Sequence, residues 1–187
     1  MYDAQINEFD IVIAGAGMVG ASLACLLAKS SLRIALIDRK PLVQYKGNDS
    51  SELPSDNFDP RVSAVSQTSQ QLFRQLGVWE DMESARVCNY SAMEVWDAEG
   101  TGSIGFSAAQ INQPELGSIV ENSIIIAALH KRIAQLENVF PITPFSIESF
   151  EYIEREDGSI VKLNADDGQA IRAPLVIAAD GANSKLR

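Results

Sequence analysis

Hydrophobic and polar positions along the chain fall into a short series of elements. Residues 11–28, Ile-Val-Ile-Ala-Gly-Ala-Gly-Met-Val-Gly-Ala-Ser-Leu-Ala-Cys-Leu-Leu-Ala, run without a single charge. A run of that length approaches the lower limit for a membrane-spanning helix. Three glycines within six positions would weaken such a helix, so the run reads instead as a buried strand, a tight turn and a helix. Asp10–Ala14 is the strand, and Met18–Ser30 is the helix, with a stripe at Val19, Leu23, Leu26 and Leu27 expected to face the core. Arg33–Ile37 is a second buried strand that closes at Asp38, completing a βαβ unit. A hydrophilic stretch from Arg39 to Pro60 reads as a long functional or mobile loop.

Beyond Arg61 the pattern turns helical, with Leu72, Phe73 and Leu76 on one face and Gly77 as a left-handed stop. Ala92–Asp97 and Ser103–Ser107 read as strands around a turn at Glu99-Gly100. A helix is predicted from Asn122, its N-cap, with Ile125, Leu129, Ile133 and Leu136 down one side. The dipeptides Asp157-Gly158 and Asp167-Gly168 separate the strands of a three-stranded meander from Phe150 to Arg172. Leu175–Ala179 is a last buried strand before Asp180-Gly181.

The 187 residues are 46% hydrophobic and 21% charged, an ordinary globular balance. With 15 Lys+Arg against 25 Asp+Glu, the net charge is −10, which argues against nucleic acid as a partner and against a polybasic membrane surface. One histidine, His130, and two cysteines, Cys25 and Cys88, are too few for a zinc site or a disulfide scaffold. His130 reads as an exposed or hydrogen-bonded histidine rather than a catalytic base, and Cys25 as a small buried apolar residue. Residues 1–10 carry Asp3, Glu8 and Asp10 but no Lys or Arg, so no export signal is read and a cytoplasmic setting with free thiols is expected.

The chemistry concentrates at Gly15-Ala16-Gly17-Met18-Val19-Gly20. Glycines gather in many turns, but here a strand precedes them, a helix follows, and Asp38 ends the next strand, the context of a dinucleotide-binding loop. Gly15 permits the tight turn, Gly17 lets a pyrophosphate approach the backbone, and Gly20 lets helix pack on strand. The helix N-terminus offers unpaired N–H groups to phosphate oxygens. Asp38 can accept from both hydroxyls of an adenosine ribose, and its charge would repel a 2′-phosphate.

Further motifs narrow the reading. Pro174–Asp180, Gly181, Ser184 and Arg187 resemble the aspartate–glycine motif of the flavoprotein aromatic hydroxylases, the para-hydroxybenzoate hydroxylase superfamily. Pro60-Arg61-Val-Ser63-Ala64-Val-Ser66, Leu72–Trp79, Met93–Asp97 and Ile119–Ser123 are similar to its ubiquinone-biosynthesis branch, and most of all to 2-octaprenylphenol hydroxylases. The resemblance implies a Rossmann-like α/β FAD-binding domain at residues 1–80 and 115–187, with residues 85–112 starting a β-rich substrate domain. It implies FAD contacts at Gly15, Gly17, Met18, Val19, Gly20, Asp38, Arg39, Arg61, Asn122, Asp180 and Gly181. No catalytic residue and no metal ligand is assigned. The flavin would supply the chemistry, hydroxylating a prenylated phenol with O₂ and with NAD(P)H as reductant. Trp79 and Trp96 are expected to pack in the core or on a sheet rather than hold substrate.

Two departures from the family pattern stand out. Ser31 occupies a position where the family often has glycine, so a slightly strained or rearranged turn is expected there. The later glycine–aspartate segment of the family lies beyond Arg187, so the chain reads as the N-terminal part of a longer protein, inactive by itself. Self-association through uncovered apolar surface, and a place in a ubiquinone-biosynthesis complex at the periphery of the inner membrane, are the expected partnerships. Two rival readings remain at this level: another FAD enzyme, a reductase or halogenase, and a catalytically silent nucleotide-binding fragment.

Overall fold

The structure is a computed structural model that describes residues 7–43, 58–156 and 158–186. Most of the expected 39–60 loop, together with Asp157 and Arg187, lies outside the described residues. The backbone divides into two compact units, one of Met1–Tyr45 with Leu129–Arg187 and one of Lys46–Ala128.

The first unit is built on the apolar runs. Strands β1 (Asn7–Glu8), β2 (Ile11–Ala14) and β3 (Ile34–Ile37) are joined between the last two by helix α1 (Met18–Leu27). In the second unit come β4 (Val62–Ser66), α2 (Gln67–Leu76), α3 (Trp79–Ala85), β5 (Val87–Tyr90), β6 (Ala92–Trp96), β7 (Ser103–Ser107) and β8 (Gly117–Glu121). Helix α4 (Asn122–Ile133) leads back to β9 (Val139–Ile142), β10 (Ile147–Arg155), β11 (Gly158–Ala165), β12 (Ala170–Ala173) and β13 (Leu175–Ala178).

A parallel sheet in the order β13-β2-β3-β9 forms the centre of the first unit. Every residue of β2 and β3 is buried, which is why these strands read as unbroken apolar runs rather than alternating ones. The fourth strand, β9, escapes the sequence pattern because Pro141 interrupts it; at the sheet edge the missing N–H costs no ladder bond. The meander β10-β11-β12 forms a second sheet, extended by β1 pairing parallel to β12. Val12, Ala14, Ala35 and Ile37 from the parallel sheet pack with Leu163, Ala165, Ile171 and Ala173 from the meander. Helix α1 packs on β2 and β3 as well.

The face of α1 differs from the expected stripe. Its buried residues are Gly20, Ala21, Ala24 and Cys25, while Val19 is 72% exposed and Leu26 is exposed too. Small residues let the helix backbone approach the strands, and this close approach outweighs the burial of the larger side chains. Burial in this seam pushes the Cys25 thiol up to about 11, whereas Cys88 is exposed. Since the thiolate is the reactive form, iodoacetamide at neutral pH is expected to label Cys88 and spare Cys25 in the native chain, with mass spectrometry reading the sites. No described residue near Ser31 adopts a left-handed conformation, so the expected strain there is absent. Among the described residues no helix is long and apolar enough to cross a membrane.

In the second unit, β4-β8-β5 form an antiparallel sheet, and β6-β7 a separate hairpin. The strands β4 and β8 lie where the sequence pattern predicts no strand. Gly77 closes α2 in the left-handed conformation, as expected. Trp79 is buried and stacks on Phe73, with the Arg74 guanidinium 5.1 Å from its ring centre. Trp96 departs from its expected packing role: it is 71% exposed, because both strands of the hairpin are largely uncovered.

Candidate functional site

The C-terminal ends of β2, β3 and β13 open onto a cleft of about 330 Å³, lined by Gly15, Asp38, Arg39, Asp180 and Lys185 among others. This edge of a parallel sheet is where α/β folds bind ligands. The glycine loop crosses it between β2 and α1. Gly15 adopts φ of +105°, and a Cβ there would run into the Ala179 carbonyl. A Cβ on Gly20 would overlap the Gly15 carbonyl oxygen, so strand and helix meet backbone to backbone at this point.

Gly17 is different in kind. Its backbone is extended, with φ −70° and ψ −175°, and a Cβ there would meet nothing within 4 Å among the described residues. Neither conformation nor packing within the protein requires glycine at this position. The open space lies at the start of α1, whose N-cap makes no side-chain hydrogen bond. A pyrophosphate fits this space and these N–H groups.

Asp38 sits at the end of β3 and organises the loop. Its Oδ2 accepts from the Ala16 N–H at 2.8 Å, and its Oδ1 from the Lys40 N–H at 2.9 Å. Each carboxylate oxygen keeps a further lone pair for a ribose hydroxyl. Asp180, after β13, accepts from the Lys185 N–H through Oδ2, while its buried Oδ1 has no partner among the described residues. An unpaired buried acceptor on a cleft wall suits a ligand hydroxyl. Gly181 follows with φ of +83°. Met18 is half-buried and Val19 and Arg39 are exposed around the loop. Replacing Asp38 with alanine is expected to weaken cofactor binding by about 1.5–3 kcal/mol, the range for hydrogen bonds to a charged group, as read by fluorescence titration.

The remaining two residues singled out from the sequence belong to the second unit. The Arg61 side chain is 80% exposed, and its Nε lies 3.7 Å from Asp59 Oδ1, a weak surface pair. Its backbone is fixed more firmly, donating to Asp59 Oδ1 and accepting from the Asn122 N–H. Asn122 is not the N-cap expected of it. It is the first helical residue, and its Oδ1 accepts from Ser63 Oγ at 2.7 Å. Asp59 takes the capping role by accepting from the Ser123 N–H. The Arg61 N–H, followed by the Ser123 N–H, holds the Asp59 carboxyl below its usual range.

Sequence reasoning does not single out Lys185, and of its two readings of His130, exposed or hydrogen-bonded, the structure shows the second. Lys185 closes the cleft by donating from Nζ to the Ile147 carbonyl at 2.9 Å. His130 lies buried against the glycine loop, with Nε2 2.7 Å from the Ala16 carbonyl oxygen. The two residues of that second pair are 114 positions apart, and no local pattern signals such a contact.

Comparison with known proteins decides which nucleotide this loop serves. The sequence matches the family described as FAD binding domain over residues 8–187. The chain belongs to that family. Its cofactor is therefore FAD. A ubiquinone biosynthesis monooxygenase COQ6, mitochondrial, from Caenorhabditis elegans is 34% identical over 97% of this chain and 40% of its own length. The 3-demethoxyubiquinol 3-hydroxylase of Escherichia coli strain K12 is 34% identical over 95% of the chain and 42% of its own length. The FAD-binding chain thus spans about two fifths of the length of these curated relatives. Among solved structures, p-nitrophenol 4-monooxygenase PnpA from Pseudomonas putida DLL-E4 shares the fold with a TM-score of 0.69 at 18% identity, covering 97% of this chain and 43% of that one. The flavin-dependent monooxygenase PieE, solved in complex with FAD and substrate, shares it with a TM-score of 0.67 at 16% identity, over 96% and 31%.

Proposed function

We propose that this chain is the cofactor-holding part of a flavin-dependent hydroxylase of ubiquinone biosynthesis, acting on a prenylated phenol with O₂ and with NAD(P)H as reductant. The observation that carries the reading is Gly17: a glycine the fold itself does not need, beside Asp38 and the unpaired Asp180 oxygen, in a chain whose relatives are ubiquinone hydroxylases. FAD, when bound, supplies the oxygen-activating redox chemistry. The residues present bind and orient: the start of α1 faces the pyrophosphate, Asp38 the ribose, and Asp180 a hydroxyl of the cofactor. Arg61 and Asn122 serve the same cofactor in this reading.

Residues 1–80 and 115–187 serve the cofactor, and residues 85–112 begin the substrate sheet; the separate hairpin of β6 and β7 supports that division. Its exposed Val95, Trp96, Ile104 and Phe106 support self-association of the chain. The site of action is cytoplasmic, at the periphery of the inner membrane in a ubiquinone-biosynthesis complex. The 187 residues alone do not turn over in this reading, because they span about two fifths of the relatives' length.

The test supplies FAD, NAD(P)H, O₂ and a prenylated phenol to this chain and to a full-length protein containing it, with mass spectrometry of the phenol as readout. Product gaining one oxygen atom from the full-length protein alone is expected. A full-length protein that binds FAD but leaves the phenol unchanged would overturn the hydroxylase reading, and product from the short chain would overturn its inactivity.

A further inference from the structure

His130 is the chain's single histidine, buried in α4, and both of its ring nitrogens are engaged. Nδ1 accepts from the Val43 N–H at 3.0 Å, and Nε2 lies 2.7 Å from the Ala16 carbonyl oxygen. A backbone N–H can only donate and a carbonyl can only accept. The ring is therefore neutral, with its proton on Nε2, donated to Ala16.

That carbonyl belongs to the peptide between Ala16 and Gly17. In a trans peptide the N–H points opposite to the C=O, so holding the Ala16 oxygen toward His130 directs the Gly17 N–H the other way. The preceding peptide is held independently, its Ala16 N–H bonded to Asp38 Oδ2. Two successive peptides of the glycine loop are thus held, one by a carboxylate and the next by an imidazole.

We propose that His130 is a positioning residue for FAD, orienting the Gly17 N–H toward the cofactor pyrophosphate. The inference rests on FAD being the loop's ligand. A loose peptide here would rotate freely and lose ordering entropy on binding, so a pre-set N–H raises affinity without touching the ligand itself. The same geometry makes the arrangement acid-sensitive. A second proton on Nδ1 would face the Val43 N–H, donor against donor. Burial holds the ring below its ordinary value of 6.5, with the Ala16 carbonyl and the charge of Asp38 opposing that effect. Lys131 and Arg132 neighbour it on its own helix. Because the folded value is lowered, the neutral-ring contribution to stability is whole above about 6.5 and declines as pH falls toward the lowered value.

The experiment uses this chain labelled with ¹⁵N. Long-range proton–nitrogen spectra are expected to show the Nε2-protonated tautomer at neutral pH. The Gly17 amide resonance is expected to shift on acidification with the midpoint of the His130 ring. In His130→Gln the side-chain amide can still donate to Ala16 and accept from Val43, so the Gly17 resonance should stay near its neutral position and lose that pH step. FAD titration of His130→Leu is expected to show affinity lower by about tenfold, matching two lost neutral hydrogen bonds, with His130→Gln restoring most of it. If His130→Leu does not fold, the Gln variant and the pH titration of the parent carry the test. A Gly17 resonance indifferent to His130 protonation, or Gln and Leu variants binding FAD equally, would overturn the proposal. A parent that binds no FAD at all would overturn the cofactor assignment along with it.

Discussion

Gly20→Val is expected to abolish folding of the first unit, while Gly17→Val, three residues away, leaves it folded and removes FAD binding. The added side chain at Gly20 would overlap the Gly15 backbone carbonyl, which cannot move because Gly15 itself abuts Ala179. Neither α1 nor β2 can retreat without opening the seam of Ala21, Ala24 and Cys25. At Gly17 the backbone is extended and the surrounding space open, so the cost to stability is only the lesser capping preference of valine, about 1 kcal/mol. In the proposed arrangement, the space the valine fills is the space the pyrophosphate takes. Thermal unfolding read with and without FAD separates the two outcomes. Gly17→Val should unfold cooperatively near the parent temperature yet gain nothing from FAD, and equal FAD stabilisation of parent and Gly17→Val would remove the reason for placing phosphate there.

Arg86→Ala is expected to destabilise the second unit by about 3 kcal/mol, the lower end of the range for stripping one partner from a buried pair. Glu121 is buried at the end of β8 and receives Arg86 Nε at 2.7 Å and its terminal nitrogen at 3.3 Å. The Asp59 N–H donates to the same carboxylate at 2.8 Å, so one charge ties α3's end, β8 and the approach to Arg61 together. The guanidinium also lies 4.3 Å from the Phe58 ring centre. Because 32% of the Arg86 side chain is exposed, the upper end of the range does not apply. Urea unfolding checks the value, and Glu121→Gln should retain more stability than Arg86→Ala because it removes the buried charge itself and leaves only the partly exposed Arg86 unpaired. A loss under about 1 kcal/mol for Arg86→Ala would place this cluster among ordinary surface pairs.

The parallel sheet was legible because β2 and β3, buried on both faces, leave unbroken apolar runs followed at once by Gly15 and Asp38; β13 lies in the sheet as expected but not buried, since it is an edge strand with Leu175 50% exposed. The glycine loop was legible for the same reason that it works: tight backbone contacts at Gly15 and Gly20 admit one residue type. The buried face of α1 was not, since side-chain size suggested Leu26 and Val19 while backbone proximity selected Gly20, Ala21 and Ala24. Strands β4 and β8 went unread because Ser and Gly dilute their apolar positions, as in Val62-Ser63-Ala64-Val65-Ser66. Contacts spanning long stretches of chain, such as Arg86 with Glu121 and His130 with Ala16, leave no periodic trace and emerge only from the fold.

Binding of FAD by its adenosine and pyrophosphate end, at the Gly15–Gly20 loop and Asp38, is the proposed arrangement. Its most direct test is equilibrium titration of the chain with FAD, followed by flavin fluorescence, with ADP and riboflavin as competitors. Saturable binding that ADP displaces and riboflavin leaves intact is the predicted result. Binding displaced by riboflavin but untouched by ADP would contradict it.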